Sequence, residues 1–367
     1  MSETCSCCHS DLTLLDETLA HYAAVPGSLI TVLQKAQGIY GYLPADVLRH
    51  IANPVPGPTY PAALWFASGG RIATQVFLLL GCWFLVDAPR FRPGRWLRLW
   101  AQVLCYSAPL SLWMLAIGRT NAHQALRGCL PLLGRPLWFA SAWLTLLLAA
   151  PVLRHAFCHG PRRAAWCAFA AFGPLCAWGT FFDARAGYYA EVFWFFAVFL
   201  LVGFLKHHTR FFQRAPRFGC LVAALAVYAA LVGTVLVASR ASPSPIAHAA
   251  DTYAKCWLQD LKSLPNVGCA LLVFTFFARL DIGSIRAVNL LARPAFGVYV
   301  AHQVPVFISY LWYGFCRVDR WYRRPDALWI ALGTTLAVYL AFAAVDLLRG
   351  RLAKPVLYWI HETFPHS

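Results

Sequence analysis

Two arginines one helical turn apart, and a histidine inside an apolar run, are the residues of this sequence best suited to chemistry. Arg95-Trp-Leu-Arg98 places two guanidinium groups on one helical face, so both reach a single anionic ligand. The plain alternative is that they anchor a helix end in the cytoplasmic leaflet. His302 closes the run Ala295-Phe-Gly-Val-Tyr-Val-Ala-His302. An ionisable side chain in such a run tends to face a bundle interior and suits a general base. A packed neutral histidine explains it equally, and no carboxylate lies near it in sequence. Other candidates carry less. Cys5, Cys7, Cys8 and His9 fit no closed zinc spacing and read as an unanchored tail. His155 with His159, and His207 with His208, fall at helix ends, where cationic side chains are common. Asp183, Arg185 and Glu191 read as a loop at the membrane interface, and Asp346 reads as a local pair with Arg349.

The elements that must position these residues lie in a membrane. Of 367 residues, 60% are hydrophobic and only 13% are charged, and mean hydropathy is +0.56. That much charge is too little to cover a soluble protein of this size, and lipid covers the remainder. The net charge of +16 does not indicate nucleic acid, because the arginines sit in short clusters between apolar runs and not on one basic face. Among the 13 cysteines, Cys82, Cys105, Cys167, Cys176, Cys220 and Cys269 lie inside apolar runs and act as small apolar residues. No disulfide framework, metal site, bound cofactor or cleavable signal peptide is expected.

Nine apolar segments lie near 62–86, 97–118, 136–157, 163–181, 190–205, 218–238, 266–280, 289–315 and 327–348. The expected fold is therefore all-α, a polytopic membrane bundle of about nine transmembrane helices, with 190–205 and 266–280 short and irregular. Basic residues crowd the connections at Arg90–Arg98, Arg154–Arg163, Lys206–Arg217 and Arg349–Lys354, which places these in the cytoplasm of a multi-pass protein of the cell membrane. His302 then falls on the inner half of its segment. Arg317, Arg320, Arg323 and Arg324 break the pattern, offset in part by Asp319 and Asp326.

Ahead of the membrane part the composition changes. Residues 1–52 hold five acidic and two basic side chains and read as a soluble helical segment. Leu12, Leu15 and Leu19 mark one helix capped by Asp11. Ser28 to Gly38 form a second, and a third follows Pro44. Residues 53–61 are a proline-rich joint, in which Asn53-Pro-Val-Pro-Gly-Pro58 cannot continue a helix. The stretch from Pro26 to Ala52, within a likeness spanning 11–52, resembles the helical N-terminus of the thioredoxin-like iron–sulfur subunit of NADH:quinone oxidoreductase. The cluster cysteines of that family lie in a portion this chain does not contain, so no [2Fe–2S] site is implied.

Residues 62–355, ahead of a C-terminal tail at 356–367, resemble bacterial acyltransferase-3 membrane proteins of the surface-polysaccharide branch. Four stretches carry the likeness: Arg71 to Asp87, with Gly81-Cys82 where Ser-Gly is usual; Arg95-Trp-Leu-Arg98; Leu137-Trp-Phe-Ala-Ser-Ala-Trp143 running on to Pro151; and Ala295 to His302. The resemblance implies transfer of an acyl group, commonly acetyl, from a cytoplasmic acyl-CoA co-substrate to a hydroxyl of a polysaccharide or lipid-linked glycan. It implies donor phosphates on Arg95 and Arg98 and His302 as a candidate base, while acceptor contact and an ordinary interface loop account equally for Asp183, Arg185 and Glu191. The family opens with a helix carrying an arginine and, about ten residues on, a histidine thought to be the base. No such helix precedes residue 62, and Arg49-His50 do not replace it, so little or no transfer is expected of this chain. Two other readings stand beside this one: a glycan transporter or flippase, and a fusion with a fragment of an electron-transfer subunit.

Overall fold

The computed structural model describes residues 13–22, 29–40, 60–88, 90–130, 137–181, 188–238, 253–258, 260–281, 283–321, 324, 326–353 and 363. The expected Asp11 cap, the third N-terminal helix, the joint at 53–59 and the loop holding Asp183 and Arg185 lie outside these residues. Every regular element among them is helical. Two short helices, α1 (Thr13–Tyr22) and α2 (Leu29–Tyr40), pack on each other through Leu15, Val32 and Ala36. Gly38 does not end α2, which runs two residues further. Glycine in right-handed backbone costs helix stability without forbidding it.

The membrane part runs α3 (Tyr60–Leu85), α4 (Pro93–Ala116), α5 (Ala122–Gly128), α6 (Trp138–Cys158), α7 (Pro161–Phe181), α8 (Tyr188–His208), α9 (Phe211–Arg214), α10 (Arg217–Ala238), α11 (Leu264–Ala278), α12 (Arg286–Ala292), α13 (Ala295–His302), α14 (Pro305–Ser309), a π-helical turn (Tyr310–Phe315), α15 (Val318–Trp321) and α16 (Ala327–Leu352). Six of these are long and apolar enough to cross a bilayer. Of the other three expected crossings, α7 has 21 residues and continues through Gly173-Pro174, and α11 has 15. The segment 289–315 is broken into α12, α13, α14 and the π turn, with interruptions at Arg293-Pro294 and Gln303-Val304. The expected irregularity at 190–205 is not found. It belongs to α8, a continuous helix of 21 residues.

α8 is the hub. It packs on α3, α6 and α7, and α11 closes against α3 and α10. Trp194, Phe195, Val198 and Phe199 of α8 are buried among Leu79, Phe139, Leu146 and Phe157. Close approach at the α6–α8 seam needs Gly203, where a Cβ would lie 2.7 Å from the Phe157 ring. A second group, α4 with α13, α14 and α16, leans on α6 through Val103, Tyr106, Leu137, Ala140, Val300 and Ala301. Burial varies along the bundle: 56% of the apolar window of α8 is buried, 28% of that of α4 and 6% of that of α16. Much of α16 outside Ala327, Ala343 and Asp346 is thus open to lipid, as are Val152, Trp166 and Val237, each at least 70% exposed.

The basic connections meet at one end of the bundle. Lys206 Nζ at the end of α8 donates to Asp87 Oδ2 (2.6 Å) and to the Trp83 carbonyl (2.7 Å) at the end of α3. His208 Nε2 donates to the Phe157 carbonyl of α6 (2.6 Å), and Arg279 after α11 donates to the Ala215 carbonyl before α10. At the other end, Arg324 is bound bidentately by Asp326 at 2.8 and 2.7 Å. That hydrogen-bonded guanidinium holds the Asp326 carboxyl below its ordinary range and cancels one of the four arginines that broke the charge pattern.

Candidate functional site

The first turns of α4 start at Pro93, whose fixed φ suits the first helical position, and no acidic residue follows it. The Arg95 and Trp96 N–H groups both donate to the Arg92 carbonyl, so what this end of α4 offers an anion is its positive dipole end together with the charges of Arg95 and Arg98. Trp96 pins this end of α4 to α6, its Nε1 donating to the Leu144 carbonyl at 3.1 Å. Arg98 Nε donates to the Gly94 carbonyl at 3.2 Å, which holds the side chain back along the helix.

Both arginines line one cavity of about 490 Å³ among α3, α4, α6 and the end of α16, with Gln102 and Arg349 completing its polar side. Arg95 also borders a smaller cleft with Arg90 and Arg92. Gly81, Phe84, Leu99 and Trp143 are shared with an adjoining chamber of about 340 Å³, whose remaining wall is Phe77, Leu80, Phe139 and Phe296. No charged or hydrogen-bonding side chain except the Trp143 indole lines that chamber, so it suits the apolar part of a ligand whose charge rests on the arginines. Gly81, which stands where the resemblance leads one to expect serine, lies under the Trp143 ring. A Cβ there would come within 2.4 Å of it.

Arg349 is a site residue that sequence reading reduced to a local pair. The pair exists, with Arg349 Nε 2.9 Å from Asp346 Oδ1, but the carboxylate does more. It is 7% exposed, and its Oδ1 also accepts from Tyr106 Oη (2.7 Å) and Gln102 Nε2 (3.1 Å), so α4 and α16 are tied through one oxygen. Gly297 of α13 lies against the same carboxylate. A signal for this was present: residues 95, 98, 102 and 106 follow i, i+3, i+7, i+11 spacing and form a polar stripe on an otherwise apolar helix.

His302 is not brought to the arginines. It ends α13, half-buried, with Nδ1 2.7 Å from the Val298 carbonyl and Nε2 2.9 Å from Gln303 Nε2. A carbonyl only accepts, so Nδ1 carries the proton and Nε2 presents its lone pair to the Gln303 amide. Its neighbours Val300 and Ala301 pack at the level of Tyr106, and Val304 at the level of Met114. His302 thus lies roughly 12–24 Å along α4 from Arg98, at about 1.5 Å per residue. That is well beyond the arginine end of its bundle, and no acidic group bonds to the ring among the described residues. Glu191 begins α8 beyond the loop that lies outside the described residues. His155 Nδ1 donates to the Pro151 carbonyl and His159 Nδ1 to that of His155, both along their own helix, as helix-end residues do. The described residues contain no group of three or more metal-ligating side chains.

A sequence-family model described as an acyltransferase domain, of the acyltransferase-3 type, matches residues 47–346. No curated protein matches the chain, and no solved structure does. The matched range begins ahead of the proline-rich joint and ends on Asp346.

Proposed function

The chain belongs to the acyltransferase-3 family of membrane acyltransferases, and from that premise we propose a donor, an acceptor class and roles for its residues. The donor is an acyl-CoA entering from the cytoplasm, commonly acetyl-CoA. The acceptor is a hydroxyl of a cell-surface polysaccharide or lipid-linked glycan. The observation that supports this reading is the cavity in which Arg95 and Arg98 meet at the positive end of α4. Charge-assisted bonds from guanidinium to phosphate are about twice as strong as neutral ones, so this is where the donor's phosphates are expected. The acyl thioester sits at the far end of a long flexible arm, so a base need not adjoin the arginines.

In the transfer itself, the acceptor hydroxyl loses its proton to a base, its oxygen attacks the thioester carbonyl, the C–S bond breaks and a C–O ester bond forms. The sulfur leaves as thiolate and recovers the proton as the free thiol. His302 Nε2 is the basic nitrogen proposed for this step, once Gln303 releases it.

Membranes holding the chain, incubated with radiolabelled acetyl-CoA and isolated surface glycan, test the reading. Donor binding and acetyl transfer that both depend on Arg95 and Arg98 support it. Absence of any CoA binding would overturn the donor assignment.

A further inference from the structure

Three arginines line the cavity, Arg95, Arg98 and Arg349, and the third is held by a carboxylate that does not line it. Arg349 sits in the last turns of α16, where a long cationic side chain would ordinarily snorkel toward water. Instead its Nε bonds the buried Asp346 carboxylate, and Arg349 lines the cavity together with Arg98 and Gln102. A lone buried carboxylate is strongly unfavourable unless it is paired and fully hydrogen-bonded. Tyr106 and Gln102 of α4 donate to the same Oδ1 as Arg349, so the carboxylate is fixed relative to the helix that carries Arg95 and Arg98. The arrangement has a steric condition: a Cβ on residue 297 would lie 2.1 Å from Asp346 Oδ1 and 2.3 Å from its Cγ. Only glycine at 297 leaves the carboxylate where it is. This gives the Phe296-Gly297 pair a physical role at a site more than 50 residues upstream of Arg349.

We propose that Arg349 is a third ligand for the donor's phosphates and that Asp346 is its positioning residue, seated by Gly297, Tyr106 and Gln102. The inference rests on the reading that this cavity binds a phosphate-bearing acyl donor. It favours a phosphate over a carboxylate as the bound anion, since the terminal oxygens of a phosphate can accept from several guanidinium groups at once.

The test is equilibrium binding of coenzyme A to the full chain in nanodiscs, at several salt concentrations. R349A is expected to weaken binding about tenfold and to flatten its salt dependence, which loss of packing alone would not do. R349K, keeping the charge without the planar fork, falls between it and the unaltered chain. D346N and G297A, which leave every arginine in place, are expected to weaken binding to a similar degree. The double variant D346N/R349A should bind no worse than R349A, because Asp346 acts through Arg349. R349A lies at a partly exposed helix end and keeps the test open if D346N or G297A fails to fold. Normal binding by R349A, with binding lost in R95A/R98A, would overturn this inference and leave the functional reading intact. Normal binding by R95A/R98A would overturn the functional reading itself. Weak binding by R349A with normal binding by D346N would remove Asp346 from the mechanism.

Discussion

At the scale of single residues, the charge on α4 is the feature with the clearest consequence. Arg95 and Arg98 line one cavity near the positive end of α4, so each can give charge-assisted bonds to a bound phosphate. Such bonds contribute about 1.5–3 kcal/mol each. R95A and R98A are each expected to weaken coenzyme A binding by roughly tenfold to a hundredfold, read by isothermal titration in nanodiscs. His302 gives a different expectation. In H302N the amide can still donate to the Val298 carbonyl, but no basic nitrogen remains. Residual acetyl transfer should fall by roughly 100-fold or more, the range of general-base contributions, while donor binding stays unchanged. Equal residual transfer by H302N and the parent chain would remove His302 from the chemistry. Sequence alone marked Arg95, Arg98 and His302 through residue type and spacing. It did not separate the arginines from His302, because distance along a broken helix depends on where the breaks fall.

At the scale of elements, glycines decide which helices touch. Gly203 is the contact point of α8 with the Phe157 ring on α6, whereas Gly233 on α10 has nothing within 4 Å of the position a Cβ would take. G203A should therefore destabilise the protein by about 1–3 kcal/mol through overpacking. G233A should be neutral or stabilising by about 0.5–1 kcal/mol, because alanine forms helix better. Thermal unfolding in one detergent, comparing the two variants, reads the difference. The pattern of apolar runs located the helices well. It could not show that 190–205 would be the most enclosed and 327–352 the least, since both are apolar all round. Nor did it find the division of 289–315, although Pro294 and Pro305 stand at its interruptions, Arg293-Pro294 and Gln303-Val304.

At the scale of the molecule, the basic connections gather at the end of the bundle where α3, α6, α8 and α16 finish and α4, α7 and α10 begin. With that end in the cytoplasm, a cysteine placed at Arg162 should react with a membrane-impermeant maleimide only after cells are opened. One placed at Thr120 should react in intact cells. Both belong in a cysteine-free background, and the reverse labelling pattern would invert the assigned orientation. The sequence by itself determined the solvent: 60% hydrophobic residues with so little charge require lipid, and lipid requires helices that satisfy their own backbone. It also determined the basic end and the chemistry available there. Only the tertiary structure decided that Arg349, some 250 residues beyond Arg98, completes the same cavity, and that Gly297 makes room for the carboxylate that holds it. Spacing reports neighbours along one helix, but a contact between helices depends on how close their backbones approach, which one side chain's volume can permit or forbid.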